Sequence, residues 1–142
     1  MSADELTIAD YPLAEMRPDL VRGKRGKGLA EVTLEAVLAG QVVLDDLRIT
    51  GTALRQQADI ARAAGRPTLA ANFERAAELV DVPQETIMRI YELLRPGRAA
   101  SKHELNAVAD ALNVQYGAGT LADFIREAAE VYERRGLFNR RY

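Results

Sequence analysis

The sequence of 142 residues has the length of one ordinary domain, and 48% of them are hydrophobic, which allows a buried core. The formal net charge of −2 argues against a nucleic-acid partner, and the absence of cysteine excludes disulfides and thiolate metal sites. Because there is no run of about 18 apolar residues and the acidic N-terminus lacks an apolar signal region, we expect a cytoplasmic protein with no membrane partner.

The first part of the chain combines apolar side chains with residues that interrupt regular structure. Residues 10–28 read DYPLAEMRPDLVRGKRGKG. The apolar residues favour burial, whereas the prolines and glycines disfavour a regular helix or a central strand. We therefore predict an extended N-terminal arm over residues 1–32 that contacts a larger partner, followed by a helical domain over residues 33–142.

Helix signals begin at residue 33. Thr33 is a typical N-cap residue and Gly40 a typical C-terminal residue of a short helix, and residues 41–50 are predicted to form a connection. Thr50 then predicts the start of a second helix that ends at Gly65. The expected inner face of this helix is narrow, which implies close approach of a neighbouring helix, and it consists of Leu54, Ala58 and Ala61.

The remaining helices are also marked by their first residues. Pro67 suits the first turn of a third helix, and Pro83 opens a fourth. Ser101 begins an S-x-x-E capping box, and Thr120 predicts a weaker box before a last helix that ends at Gly136. Apolar residues recur at helical spacing, and no segment alternates with a period of two. We predict an all-α fold, with a compact bundle of about four main helices behind the N-terminal arm.

No combination of residues predicts a catalytic, cofactor-binding or metal-binding site on this chain. The single histidine, His103, falls in the first turn of a predicted helix, and zinc sites need more ligands than this. Residues 22–28, RGKRGKG, lack the spacing of a P-loop and are interpreted as a flexible loop. Glu74 and Glu78 share a helix face, where pairing with arginine is commoner than a carboxylate dyad. The sequence therefore indicates a protein that works by attachment to a partner.

Six blocks of the sequence carry a resemblance to a known family. They are DYPLA (10–14), TLEAVLAG (33–40), LRIT (47–50), ANFERAAEL (71–79), VPQETIMRIYELLRP (82–96) and FIREAAEVYERR (124–135). In this order they resemble the small subunit of adenosylcobalamin-dependent diol/glycerol dehydratase. Together they extend over most of the chain, from residue 10 to residue 135.

The resemblance implies a non-catalytic subunit of a lyase that converts 1,2-propanediol or glycerol into an aldehyde and water by a radical mechanism. It implies a dimer of large–medium–small heterotrimers, with adenosylcobalamin held by the other subunits and none on this chain. In the family an extended N-terminal segment lies over the large subunit. By this resemblance Tyr11, Pro12 and Leu13, which fall in the first block, are the candidates for contact with the large subunit.

Two points stay open at the level of the sequence. A small helical DNA-binding regulator is an alternative, although the helix predicted over residues 101–116 carries Lys102 against Glu104 and Asp110. Nine residues precede the first block, as in the shorter, glycerol-dehydratase type, so packaging in a bacterial microcompartment is not favoured. The preference between propanediol and glycerol stays undecided, because the family's substrate pocket lies in another chain.

Overall fold

The computed structural model describes residues 5–138, and the helical secondary structure of these residues confirms the predicted all-α class. Residues 1–4 of the predicted arm and residues 139–142 of the predicted helical domain lie outside the described range. Contacts divide the described chain into two units, residues 5–80 and 81–138, which are taken separately below. No helix in residues 5–138 is both long and apolar enough to cross a membrane.

The first unit begins with short elements and ends with two longer helices. Single 3₁₀ turns lie at Ile8–Asp10, Pro18–Leu20 and Leu29–Glu31, and the helices are α1 (Leu13–Met16), α2 (Leu34–Leu38), α3 (Leu44–Leu47), α4 (Gly51–Ala63) and α5 (Pro67–Leu79). Within residues 5–32 the N-terminal arm is thus a series of turns and not one extended segment, since its prolines and glycines interrupt a long helix but permit isolated turns. The prediction of a plain connection over residues 41–50 is wrong at α3.

The longer helices of the first unit pack through small side chains. Ala58 and Ala61 of α4 and Ala70 of α5 are buried together, and Phe73 packs against them. The alanine face predicted for α4 is therefore confirmed as buried, and it lets the backbones of the two helices approach closely. As predicted, Thr50 caps α4: its hydroxyl oxygen accepts a hydrogen bond from the N–H of Ala53 at 3.0 Å.

The second unit contains the helices α6 (Gln84–Leu94), α7 (Lys102–Tyr116) and α8 (Gly119–Arg135). Its largest fully buried side chains are Leu105, Leu112 and Ile125, on α7 and α8. The hydroxyl of Ser101 accepts a hydrogen bond from the N–H of Glu104 at 3.3 Å, which confirms the predicted start of α7. Counting both units, five helices of eleven or more residues occupy residues 51–135, compared with the predicted bundle of about four.

The start of α8 differs from the prediction. Thr120 was expected to cap this helix, but the helix begins at Gly119 and the buried Ala118 takes the N-cap position. Gly117 has a left-handed backbone, with φ of 64°, and reverses the chain directly after α7. The helix α8 thus starts one residue before Thr120 and two residues after the left-handed Gly117.

Ion pairs on the surface of the second unit join α7 to α8. The Nζ of Lys102 lies 2.7 Å from a carboxylate oxygen of Glu130 and 2.9 Å from one of Glu133. Hydrogen bonds to these two glutamates raise the pKa of Lys102 above its ordinary value. Arg126 bridges α8 to Asp110 on α7 at 2.6 Å. Such exposed pairs contribute little stability each.

Candidate partner-binding surface

The residues predicted to contact a partner lie between two short elements near the start of the chain. Tyr11 follows the 3₁₀ turn Ile8–Asp10, and Leu13 begins α1. The side chain of Tyr11 is prominent, with the residue 69% exposed, whereas Pro12 and Leu13 are half-buried. The structure therefore places the tyrosine ring on the surface, where a partner can reach it. Contact of the three residues with another subunit stays a prediction.

Local polar contacts hold the backbone on both sides of Tyr11. A carboxylate oxygen of Asp10 accepts hydrogen bonds from the N–H of Thr7 at 2.8 Å and from its hydroxyl at 3.1 Å. The Thr7 backbone N–H, chiefly, keeps the pKa of Asp10 below its ordinary value. Arg17 lies 3.5 Å from Asp10 and 3.2 Å from Asp19, and it lowers the pKa of Asp19 as well. This part of the N-terminal arm is thus locally structured within the free chain.

The basic loop of residues 22–28 is closed by backbone contacts. Arg22 and Gly28 form an isolated antiparallel bridge, and the N–H of Gly23 donates to the carbonyl oxygen of Lys27 at 2.9 Å. Gly26 takes a left-handed conformation at the tip, with φ of 83°. The backbone of this segment thus closes on itself through its own hydrogen bonds, a contact that its interpretation as a flexible loop did not include.

The closed loop is fastened to α3 through a buried carboxylate. The side chain of Asp46 is fully buried, and its Oδ2 accepts hydrogen bonds from Nη1 of Arg25 at 3.0 Å and from the N–H of Val43 at 2.9 Å. Its Oδ1 has no hydrogen-bond partner among the described residues. A Cβ atom added to Gly23 would lie only 2.7 Å from the carbonyl oxygen of Asp46, so the loop backbone packs directly on α3. The first unit therefore holds α3 in a defined position.

Exposed apolar side chains are concentrated on the two short helices that follow this loop. The helix α2 exposes residues at positions i, i+3 and i+4, and α3 exposes residues at i and i+3. The side chains, here named the α2–α3 surface, are Leu34, Val37, Leu38, Leu44 and Leu47. The four leucines are between 60% and 78% exposed. This surface could not be predicted from the sequence, because apolar residues at helical spacing are typical of an inner face.

The side chains considered for catalysis are not assembled into a site. His103 is exposed in the first turn of α7. Glu74 of α5 forms an ion pair with Arg62 of α4, as expected for a structural carboxylate. Within residues 5–138, no group of three or more histidine, aspartate or glutamate side chains could hold a metal ion. The part of the chain that the structure describes offers surfaces for protein contact more clearly than groups for chemistry.

Comparison with known proteins agrees with this interpretation. Residues 6–139 match the family described as dehydratase small subunit. The propanediol dehydratase small subunit of Citrobacter freundii is 49% identical over 134 residues, which are 94% of this chain and 77% of that protein. The propanediol dehydratase small subunit of Salmonella typhimurium (strain LT2) is 50% identical over 128 residues, or 90% of this chain and 73% of that protein. Nothing in these comparisons supports the DNA-binding alternative. This chain, with its exposed apolar helices and no assembled catalytic site in its described part, belongs to the dehydratase small subunit family.

Proposed function

We propose that this chain is the small subunit of an adenosylcobalamin-dependent propanediol or glycerol dehydratase. The enzyme would convert a 1,2-diol or glycerol into an aldehyde and water, and this subunit would be required for its assembly and not for its chemistry. The observation that carries the proposal is an identity of about one half, over most of the chain, with two propanediol dehydratase small subunits. Membership of the family makes the chain a subunit of a lyase.

The proposed partners are a large and a medium dehydratase subunit, in a dimer of heterotrimers. We place residues 1–32 against the large subunit, with Tyr11, Pro12 and Leu13 in the contact. The exposure of Tyr11 supports this placement, and so does the local order around it, because a contact that is already shaped loses less conformational entropy on binding.

The cofactor is proposed to lie in the other subunits. Adenosylcobalamin supplies the radical chemistry of the reaction when it is bound. This placement is supported by the one imidazole of the sequence, His103, which is exposed on the first turn of α7 and belongs to no cluster of metal-ligating side chains in residues 5–138. We derive no step of the reaction through the cofactor on this chain. The cytoplasmic location expected from the sequence also stays a prediction.

Reconstitution from separate subunits tests the proposal. The large, medium and small subunits are produced singly and in every combination, and each preparation is assayed with adenosylcobalamin and with either diol. We expect aldehyde formation by the complete set and none by the small subunit alone. Co-elution of the small subunit with the other two on gel filtration is the matching structural result. Turnover by the isolated small subunit, or full activity and stability of the other two without it, would refute the proposal.

A further inference from the structure

The two units differ in how much of their apolar side chain they bury. Among residues 5–80, twelve large apolar side chains are exposed, and seven of them lie between residues 34 and 49. Among residues 81–138 the exposed ones are fewer, namely Met88, Tyr91, Val114 and Phe124. An apolar group that stays in water adds nothing to the hydrophobic stability of the fold. The first unit therefore gains less from its apolar residues than the second.

The cores of the two units differ in the same direction. Where α4 and α5 meet, the first unit buries alanines, and the larger Phe73 beside them is only partly buried. The second unit buries Leu105, Leu112 and Ile125 almost completely, each at 2% exposure or less. Because the hydrophobic free energy grows with the apolar area removed from water, leucine and isoleucine contribute more than alanine. The second unit is also the shorter of the two, so its folding orders fewer residues.

The second unit is closed by contacts between its own distant parts. The hydroxyl of Tyr132 on α8 donates a hydrogen bond to the carbonyl oxygen of Leu94 at the end of α6. The N–H of Gly97 donates to the carbonyl oxygen of Leu137 at 2.8 Å, so the segments after α6 and after α8 are also joined. Domains of about 55–65 residues with a core of their own can fold alone. Residues 81–138 have this length, a core and closing contacts.

We propose that in the free chain residues 5–80 open while residues 81–138 stay folded. A chain of this size usually unfolds in one step, but a cooperative unit with its own core can open separately. The order of opening follows from the cores, since the first unit leaves more apolar side chain in water and packs around alanine. The part that opens carries Tyr11, Pro12 and Leu13. A partner that binds the folded first unit would hold it closed by mass action.

Hydrogen exchange of the full-length chain in rising, sub-denaturing urea tests the order of opening. Mass spectrometry reads the amide protection of α4 and α5 separately from that of α7 and α8. We expect α4 and α5 to exchange about tenfold faster or more, and to lose protection at a lower urea concentration. Simultaneous loss of protection in all four helices, or earlier loss in α7 and α8, would overturn the inference.

A matched pair of core variants tests whether the units open separately. Phe73→Ala should accelerate exchange in α4 and α5 about tenfold or more and leave α7 and α8 as in the wild type. Leu112→Ala should do the reverse, and complete loss of protection in α7 and α8 with α4 and α5 retained is the same result in its extreme form. Ile125→Val, which removes one methyl group, replaces Leu112→Ala if that variant yields no folded protein. Acceleration of both helix pairs by the same factor in any of these variants would show one cooperative unit and overturn the inference.

Discussion

Substitution of Gly23 by alanine tests whether the basic loop really rests on α3. The added Cβ would lie 2.7 Å from the carbonyl oxygen of Asp46 and 3.4 Å from its carbonyl carbon. These are backbone atoms of a helix, which cannot rotate away as the end of a flexible side chain can. The matched control is Gly28→Ala in the same loop, where the nearest atom is Nη1 at the far end of the Arg22 side chain, at 3.3 Å. Neither glycine has a left-handed backbone, so neither change introduces that kind of backbone strain.

The two variants should therefore differ in stability by an amount set by overpacking. Extra atoms forced into a filled space cost about 1–3 kcal/mol. Replacement of glycine by alanine at a compatible backbone position gains ~0.4–1 kcal/mol, because the unfolded chain loses freedom. We expect Gly23→Ala to lower the free energy of unfolding by ~1–2 kcal/mol. For Gly28→Ala we expect a change between zero and a gain of ~1 kcal/mol.

Urea unfolding followed by circular dichroism at 222 nm measures the difference, and hydrogen exchange of residues 43–50 locates it. Faster exchange should appear in α3 of the Gly23→Ala protein and be absent from the control. Equal unfolding free energies for the two variants would refute the packing of the loop on α3. A larger loss of unfolding free energy in the Gly28→Ala protein than in the Gly23→Ala protein would also refute it.

Three further changes test other contacts in the first unit. Arg25→Gln should destabilise the chain by ~1–3 kcal/mol in urea unfolding, because the buried carboxylate of Asp46 loses its cationic partner; glutamine at residue 24, beside it, should cost less than ~0.5 kcal/mol. Since the pKa of Asp10 is lowered by folding, its contribution is present above the ordinary aspartate pKa of about 3.9 and is lost as the pH falls through the lower folded value. Hydrogen exchange of residues 7–17 should therefore accelerate, relative to an Asp10→Asn control, only below about pH 4; a difference that appears on raising the pH would contradict the sign. Tyr11→Ala with Leu13→Ala should weaken association with the large and medium subunits by ~2 kcal/mol, seen as reduced co-purification at both low and high salt. If this double variant loses its partners at high salt only, the contact is electrostatic instead.

The longer helices could be predicted because their signals are local. Thr50 and Ser101 cap the helices that follow them, and the glycine at residue 136 ends α8 in a left-handed conformation. These residues act within one turn of their own position, so a pattern of a few letters contains the whole interaction. The all-α fold class, the positions of the longer helices and the absence of a recognisable catalytic motif could all be inferred from such local patterns.

The α3 helix and the loop beneath it could not be predicted in the same manner. The ion pair joins Arg25 to the buried Asp46 across 21 positions of the chain. The neighbouring letters do not distinguish Asp46 from Asp45. The sequence likewise does not show whether the apolar face of α2 is buried or exposed. Leu34, Val37 and Leu38 have the spacing of a core face, and only the positions of surrounding elements show that they face outward.

The alanine contact between α4 and α5 limits which substitutions this pair of helices can accept. Ala58 and Ala70 are each 1% exposed, so a larger side chain at either position must push two backbones apart. Glycine is the only smaller residue, and it lowers the stability of a helix by about 1 kcal/mol. Random mutagenesis of α4 and α5 should consequently return tolerated changes on the outer faces, while the inner positions keep alanine, or serine at most. The separation between these two helices is thus set by the smallest side chain that still favours a helix.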